Sequence, residues 1–443
     1  MNNDIQVNRT PMQVVNRMSM GRQGSPLLGE GRPRSAFEGV SFKKYHADFS
    51  TVVGKDARHA LLLSSAETSR NAFFHTGCVL VREPAAGSRR NSSGSGTSRA
   101  PSEEEVIYTT SNLLQTSSSS QLPVILISRV SLRRNADGDV TSTEWTKLRP
   151  PFAMPAGAIP YQTKAGAPVG PLAGTGARGS SGVLYCAQGN PGPGTSGLFY
   201  MPTGRPPVPL VSNYYGRDFN SVFDVVRHPE DGSLWFTDPC IGFEQDFRKR
   251  PQMPCHVYRF HPETSDLRVV ADGLNRPTGI CFSPDAATVY VTDADTLYGG
   301  GGGSGNVNFV TGNNGGGDGR RAATIYAFDV LRRGGSDFLT NKRVFSYALR
   351  GTPLGIRCDA AGNVYAGCAD GVEVWNEGGV LLGVIEVPGG VSSFCLSRDG
   401  EMFLCSEQQL WWVHLQPTTT ETVSRWGGPG PVPMTVDPED NFI

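Results

Sequence analysis

The chain has 443 residues, 38% hydrophobic and 18% charged, with a formal net charge of -1. That is enough apolar material for a large core, and all-β repeat folds run long as single domains. The balanced charge leaves no electrostatic footprint for nucleic acid, and no window reaches the roughly 18 consecutive apolar residues of a membrane span.

Residues 1–45 are polar and unpatterned, and read as a disordered tail. The start of the chain has no apolar run of the secretory type. A folded region is expected over 46–416, beginning with the apolar run 60–63. Strand candidates follow at 73–81 and 106–112. Between them lies a Gly/Ser/Arg-rich insertion, 86–104, flexible by composition and placed in a hairpin loop. Residues 124–127 and 183–186 read as further strands. The Gly/Pro/Ala-rich stretch 150–180 between them reads as irregular. Residues 198–200, 257–260 and 267–270 continue the strands.

A glycine- and asparagine-rich loop occupies 299–319. It contains a G-x-G-x-x-G match at Gly300, Gly302 and Gly305. No helix pattern follows, so a flexible loop explains it better than a dinucleotide site. Strands resume at 325–328, 372–375 and 410–413, and 417–443 form a C-terminal tail.

One phrase organises the rest. Val225-Val226, the turn Pro229-Glu230-Asp231-Gly232, and Leu234-Trp235-Phe236 make a strand–turn–strand unit. Copies begin at Thr278, Leu354 and Ser392. Hairpins of this kind cannot bury their own faces and must stack on one another. The 55 glycines and 32 prolines supply the many turns such an array needs. Sustained helical periodicity is nearly absent. The expected fold is all-β: a six-bladed β-propeller with a disordered N-terminal tail and long loop insertions. The nine cysteines contain no CxxC pair and are odd in number. Cys281, Cys358 and Cys395 lie in strand-like runs as small apolar groups. A reducing, cytoplasmic location is expected rather than a disulfide framework.

The run from Phe219-Asn220-Ser221 through Thr237-Asp238-Pro239 resembles the SMP-30/gluconolactonase/lactonohydrolase family, notably its fungal branch. So do Arg276-Pro277-x-Gly279 with Phe282-Ser283-Pro284-Asp285, and Gly362-Asn363-Val364-Tyr365 with Gly371-Val372-x-Val374-Trp375-Asn376. The likeness covers roughly residues 50–415. It implies a six-bladed propeller that holds one divalent cation, usually calcium, at the channel mouth and hydrolyses lactones. The positions implied as cation ligands are Thr76, Phe223, Thr278 and Leu354. None is a carboxylate, and two have no side-chain oxygen, whereas calcium takes six to eight oxygens. No metal and no cofactor is therefore expected.

Among the titratable residues, His75, Asp224, Asp238 and Asp293 are candidates for catalysis and Arg276 for holding a ligand carboxylate. Bland counterparts stand beside most of them: a turn brace for Asp238, Asp293 and Arg276, a packed ring for His75, as for His228. Cys240 could face the channel, with a packed thiol the simpler reading. The expected partner is a small molecule of lactone or ester type, with no nucleic acid and no membrane. The oligomeric state is not legible. Three functions follow: a metal-independent or purely binding member of the family in small-molecule (secondary) metabolism; a working lactone hydrolase with relocated acids such as Asp295 or Glu407, and calcium; or a protein-interaction scaffold.

Overall fold

The computed structural model describes residues 5–15, 39–84, 103–114, 123–163, 180–295, 322–397 and 400–417. The insertion 86–104 lies outside them except for Glu103 and Glu104, as do the glycine loop 299–319 and the tail beyond 417.

The strands form six blades, each a four-stranded antiparallel sheet at its core. The first runs from the innermost strand Thr76–Pro84 out to Val140–Leu148, and the second from Pro155–Gln162 to Val208–Val211. The third runs from Val225–Arg227 to Asp266–Ala271, and the fourth from Pro277–Phe282 to Ser336–Tyr347. The fifth runs from Ile356–Cys358 to Leu381–Glu386. The sixth takes Ser393–Leu396, Glu401–Ser406 and Gln409–His414 from the end of the chain and Arg58–Ser64 from its beginning. That mixed sheet closes the propeller expected from the hairpin repeats.

Glycine sets the repeated hairpins. Gly232, Gly362 and Gly400 turn the chain with φ of 72°, 86° and 80°. In the fourth blade Ala286 takes a similar conformation, at φ 56°, where a Cβ is strained. The core is divided among the gaps between blades. Six buried apolar clusters correspond to the six interfaces. Trp235, Trp375 and Trp412 are wholly buried there.

Two sequence expectations need correction. The stretch 1–45 is not structureless throughout. Ser41–Lys44 adds to the fifth blade beside Leu381–Glu386, and Met12–Val14 pairs parallel with it. Asn8–Arg9 adds to the sixth blade beside Arg58–Ser64. A mostly polar segment can join a preformed sheet edge through main-chain bonds, here with Phe42 as its buried anchor, so composition hides it. Within 150–180, Pro155–Gln162 is the innermost strand of the second blade. Its two prolines, Pro155 and Pro160, sit on an edge strand, where a missing N–H is tolerated.

Candidate site at the channel mouth

Each innermost strand meets its neighbours around a central channel. At one end, a closed circuit of six hydrogen bonds runs from blade to blade. The Thr110 hydroxyl donates to the Ala156 carbonyl at 3.2 Å, and the Gly157 N–H to the Phe223 carbonyl at 2.7 Å. The Thr237 hydroxyl donates to Thr278 at 2.7 Å, and that of Thr292 to Leu354 at 2.8 Å. The Gly355 N–H donates to Ser392 at 3.0 Å, and the Ser392 hydroxyl returns to the His75 carbonyl at 2.6 Å. Close approach demands glycine here: a Cβ on Gly279 would stand 2.2 Å from the Leu354 oxygen.

The ring therefore consists of His75, Ala156, Phe223, Thr278, Leu354 and Ser392, with Thr76 next to the first. His75, Phe223, Thr278 and Leu354, named from sequence, are on it, and Thr76 adjoins it. Ala156 and Ser392 complete it; only Ser392 had a sequence signal, as the start of a hairpin copy. The threonines of Thr237-Asp238 and Thr292-Asp293 were also legible as a repeated pair. Each donates its hydroxyl across the gap, while each aspartate turns to its own blade.

The ring's side chains offer little to a cation. Phe223 and Leu354 are 7% and 2% exposed. They share one buried apolar cluster with Ala156 and Ala294, although the fourth blade stands between them. The cluster thus runs across the mouth. The Thr76 hydroxyl bonds that of Thr110 at 2.6 Å, and the Thr278 hydroxyl bonds that of Thr292 at 2.9 Å. Among the described residues no group of three or more His, Cys, Asp or Glu is disposed to hold a metal. Hydrocarbon at two positions and engaged neutral hydroxyls at two more do not fit calcium.

The acidic candidates separate by their partners. Asp238 accepts the N–H groups of Asn220 and Ser221 at 3.0 and 2.7 Å, and burial pushes its carboxyl up to about 7. Asp293 accepts those of Asn275 and Arg276 at 3.0 and 2.8 Å, and burial raises it too. Each shapes the loop leading into the innermost strand of its own blade. Asp224 is buried and meets Arg357 at 3.3 Å. That pair joins the third blade to the fifth across the channel. Burial raises the Asp224 carboxyl in spite of the arginine. Asp295 receives the Asn275 amide at 3.3 Å.

Arg276 is buried and paired with Glu244 at 3.1 Å. His228 lies away from the ring, at the hairpin turn, against Trp235 and Phe282. His75 sits next to Thr76 on the ring, and its Nδ1 is 2.8 Å from Glu407 Oε1. Glu407 comes from a turn of the sixth blade at φ 55°. No sequence spacing relates residues so far apart in the chain. Cys240 lies beyond the end of the strand Leu234–Asp238, with its sulfur 3.5 Å from that of Cys255.

Residues 196–298 match the model of the SMP-30/Gluconolactonase/LRE-like region. The lactonohydrolase oryL of Aspergillus oryzae is 33% identical over 223 residues, which is 47% of this chain and 49% of that one. A gluconolactonase of Zymomonas mobilis is 27% identical over 240 residues, 52% of this chain and 58% of its own. The chain spans about half the length of these curated relatives. A solved gluconolactonase from Xanthomonas campestris superposes with a TM-score of 0.55 at 23% identity, covering 88% of this chain and 98% of that one. That likeness supports the propeller fold.

Proposed function

We propose, on the premise that this chain carries a region of the SMP-30/gluconolactonase/LRE-like family, that it is a lactonohydrolase-like propeller working without a mouth cation. It takes a small organic ligand of lactone or ester type at the mouth. The observation that carries this reading is the pairing of Phe223 and Leu354 in one buried apolar cluster at ring positions. A carboxylate placed there without a metal would cost several kcal/mol, roughly; hydrocarbon removes that cost and presents an apolar wall.

Metal-independent hydrolysis is the chemistry a second contact favours. Glu407 beside His75 Nδ1 orients the imidazole. Nε2 is then the basic nitrogen, suited to take a proton from water attacking a carbonyl.

Thermal melting of the metal-stripped protein tests the first reading. Added calcium should leave the midpoint unchanged. Lactone turnover, if measured, should be insensitive to chelator. Stabilisation by calcium together with chelator-sensitive turnover would overturn it. His75→Gln and Glu407→Gln should each abolish chelator-insensitive turnover in a protein with unchanged melting. Undiminished turnover in both variants removes the dyad from consideration.

A further inference from the structure

We propose that Cys240 and Cys255 are a modification site: a dithiol that closes reversibly into a disulfide and clamps the excursion 241–254 against the channel mouth. This stands independently of the catalytic reading above.

The position comes first. The strand Leu234–Asp238 pairs antiparallel with His256–His261, with Asp238 opposite His256. Cys240 follows the first strand and Cys255 immediately precedes the second. The two cysteines therefore stand at the two feet of the excursion. Their sulfurs are 3.5 Å apart, and both residues are only partly buried. A second close pair, Cys78 and Cys395 at 3.6 Å, differs because Cys78 is sealed in the core. Only the first pair is within reach of a reagent in solution.

The excursion has something to hold. Ile241 and Met253 belong to the same buried cluster as Phe223 and Leu354. Arg248 donates to the carbonyls of Asn190 at 2.6 Å and Asn220 at 2.9 Å. These contacts seat the middle of the excursion on the mouth. Its feet are held by the pairing of Asp238 with His256 and by the Asn220 amide, which donates to the Met253 and Pro254 carbonyls at 3.2 and 3.1 Å; the two thiols add a contact there that a covalent bond would lock.

The chemistry balances with a low-molecular-weight disulfide, RSSR, as oxidant. Cys240 as thiolate attacks one sulfur of RSSR, forming the mixed disulfide and expelling RS⁻, which takes up a proton. Cys255 then loses its proton and attacks the Cys240 sulfur, expelling the second RS⁻. Two protein thiols and RSSR become one protein disulfide and two RSH. Hydrogen bonding to Cys240, with burial adding to it, holds Cys255 in its thiol form.

The full chain is equilibrated in glutathione buffers from reducing to oxidising. It is then quenched with a maleimide and digested with trypsin without reduction. Cleavage after Arg227, Arg248, Lys249 and Arg259 puts the two cysteines on separate peptides, 228–248 and 250–259. The expected product is these two peptides joined, two hydrogens lighter than their sum. It is lost on dithiothreitol treatment and absent from Cys240→Ser and Cys255→Ser. Hydrogen exchange compares the oxidised and reduced wild type, so no variant has to fold. Amides of 241–254 should slow on the order of ten-fold, as expected when the feet of a short excursion are crosslinked. Maleimide on both cysteines at every buffer ratio, or stable glutathione on Cys240 without the joined product, overturns the site. A joined product with unchanged exchange over 241–254 overturns the clamp.

Discussion

Thr237→Val probes the hydrogen-bonded ring. Thr237 is fully buried, at 0% exposure. Its hydroxyl donates to the Thr278 carbonyl at 2.7 Å and accepts the Asp224 N–H at 3.1 Å. Valine keeps the shape and removes both bonds, so no cavity confuses the result. Two buried main-chain groups lose a partner, at about 1–3 kcal/mol each. With partial relaxation the expected loss is roughly 2–4 kcal/mol, a large share of the stability of an ordinary domain. Thr237→Ser is the control: it keeps the hydroxyl and forfeits one methyl, about 1 kcal/mol. Urea unfolding followed by tryptophan fluorescence compares the three proteins, with Trp235 two residues away as a buried reporter. A valine variant within about 0.5 kcal/mol of wild type, or equal to the serine variant, would refute the inter-blade hydroxyl bond as a structural element.

Three other outcomes are expected. Phe42→Ala, in the strand added to the fifth blade, removes a side chain 1% exposed and edge-on to Phe49 at 6.0 Å; it should cost about 3–5 kcal/mol, whereas Val14→Ala, at 71% exposure, should stay within about 0.5 kcal/mol in the same urea titration. Burial pushes the Asp238 carboxyl up to about 7, so the folded state holds that proton more tightly than the unfolded chain, and the resulting stability is full below about pH 4 and lost as pH rises through about 7; Asp238→Asn should flatten that slope, and parallel wild-type and variant curves from pH 4 to 8 would rule it out. Thr76→Glu, Phe223→Asn, Thr278→Asn and Leu354→Asp together should give a protein that calcium stabilises, while Leu354→Asp alone should lose several kcal/mol, roughly, that calcium does not restore; a folded quadruple variant indifferent to calcium means the four side chains do not converge.

The hairpins were legible because both signals are local. Asp231-Gly232 and Gly362-Asn363 mark turns by their backbone demands, and the flanking β-branched and aromatic residues mark strands. The missed elements are those whose stability is not local. Ser41–Lys44 is a strand because the edge of Leu381–Glu386 awaits it, and nothing in Phe42-Lys43-Lys44 announces that edge. Pro155–Gln162 reads as a loop until its position lining the channel removes the objection to proline. At the site, Thr76, Phe223, Thr278 and Leu354 were found through the family resemblance. Glu407 was named only among possible acids; its meeting with His75 depends on sixth-blade closure, which no spacing encodes. Arg276 and His228 were ambiguous because a charge or an imidazole reads alike as ligand and as brace. The structure sets Glu244 beside the one and Trp235 beside the other.

The ring explains how a mouth can change its chemistry while the propeller stays intact. Five of its acceptors are main-chain oxygens of ring residues, those of Ala156, Phe223, Thr278, Leu354 and Ser392. Their donors are main-chain N–H groups or threonine hydroxyls from the preceding blade. No bond in the circuit uses the side chain of Phe223, Thr278 or Leu354. Those side chains can be exchanged without breaking the circuit. The constraint acts between the side chains instead. A buried carboxylate needs a cation, a cation needs several oxygens, and an apolar neighbour supplies none. A partial set is therefore the costly state: one acid facing Phe223 would be charged, dry and unpaired. Two arrangements escape that cost, all oxygen around a metal or an apolar wall with neutral hydroxyls turned back onto their own blades. The contacts of Thr76 with Thr110 and of Thr278 with Thr292 belong to the second.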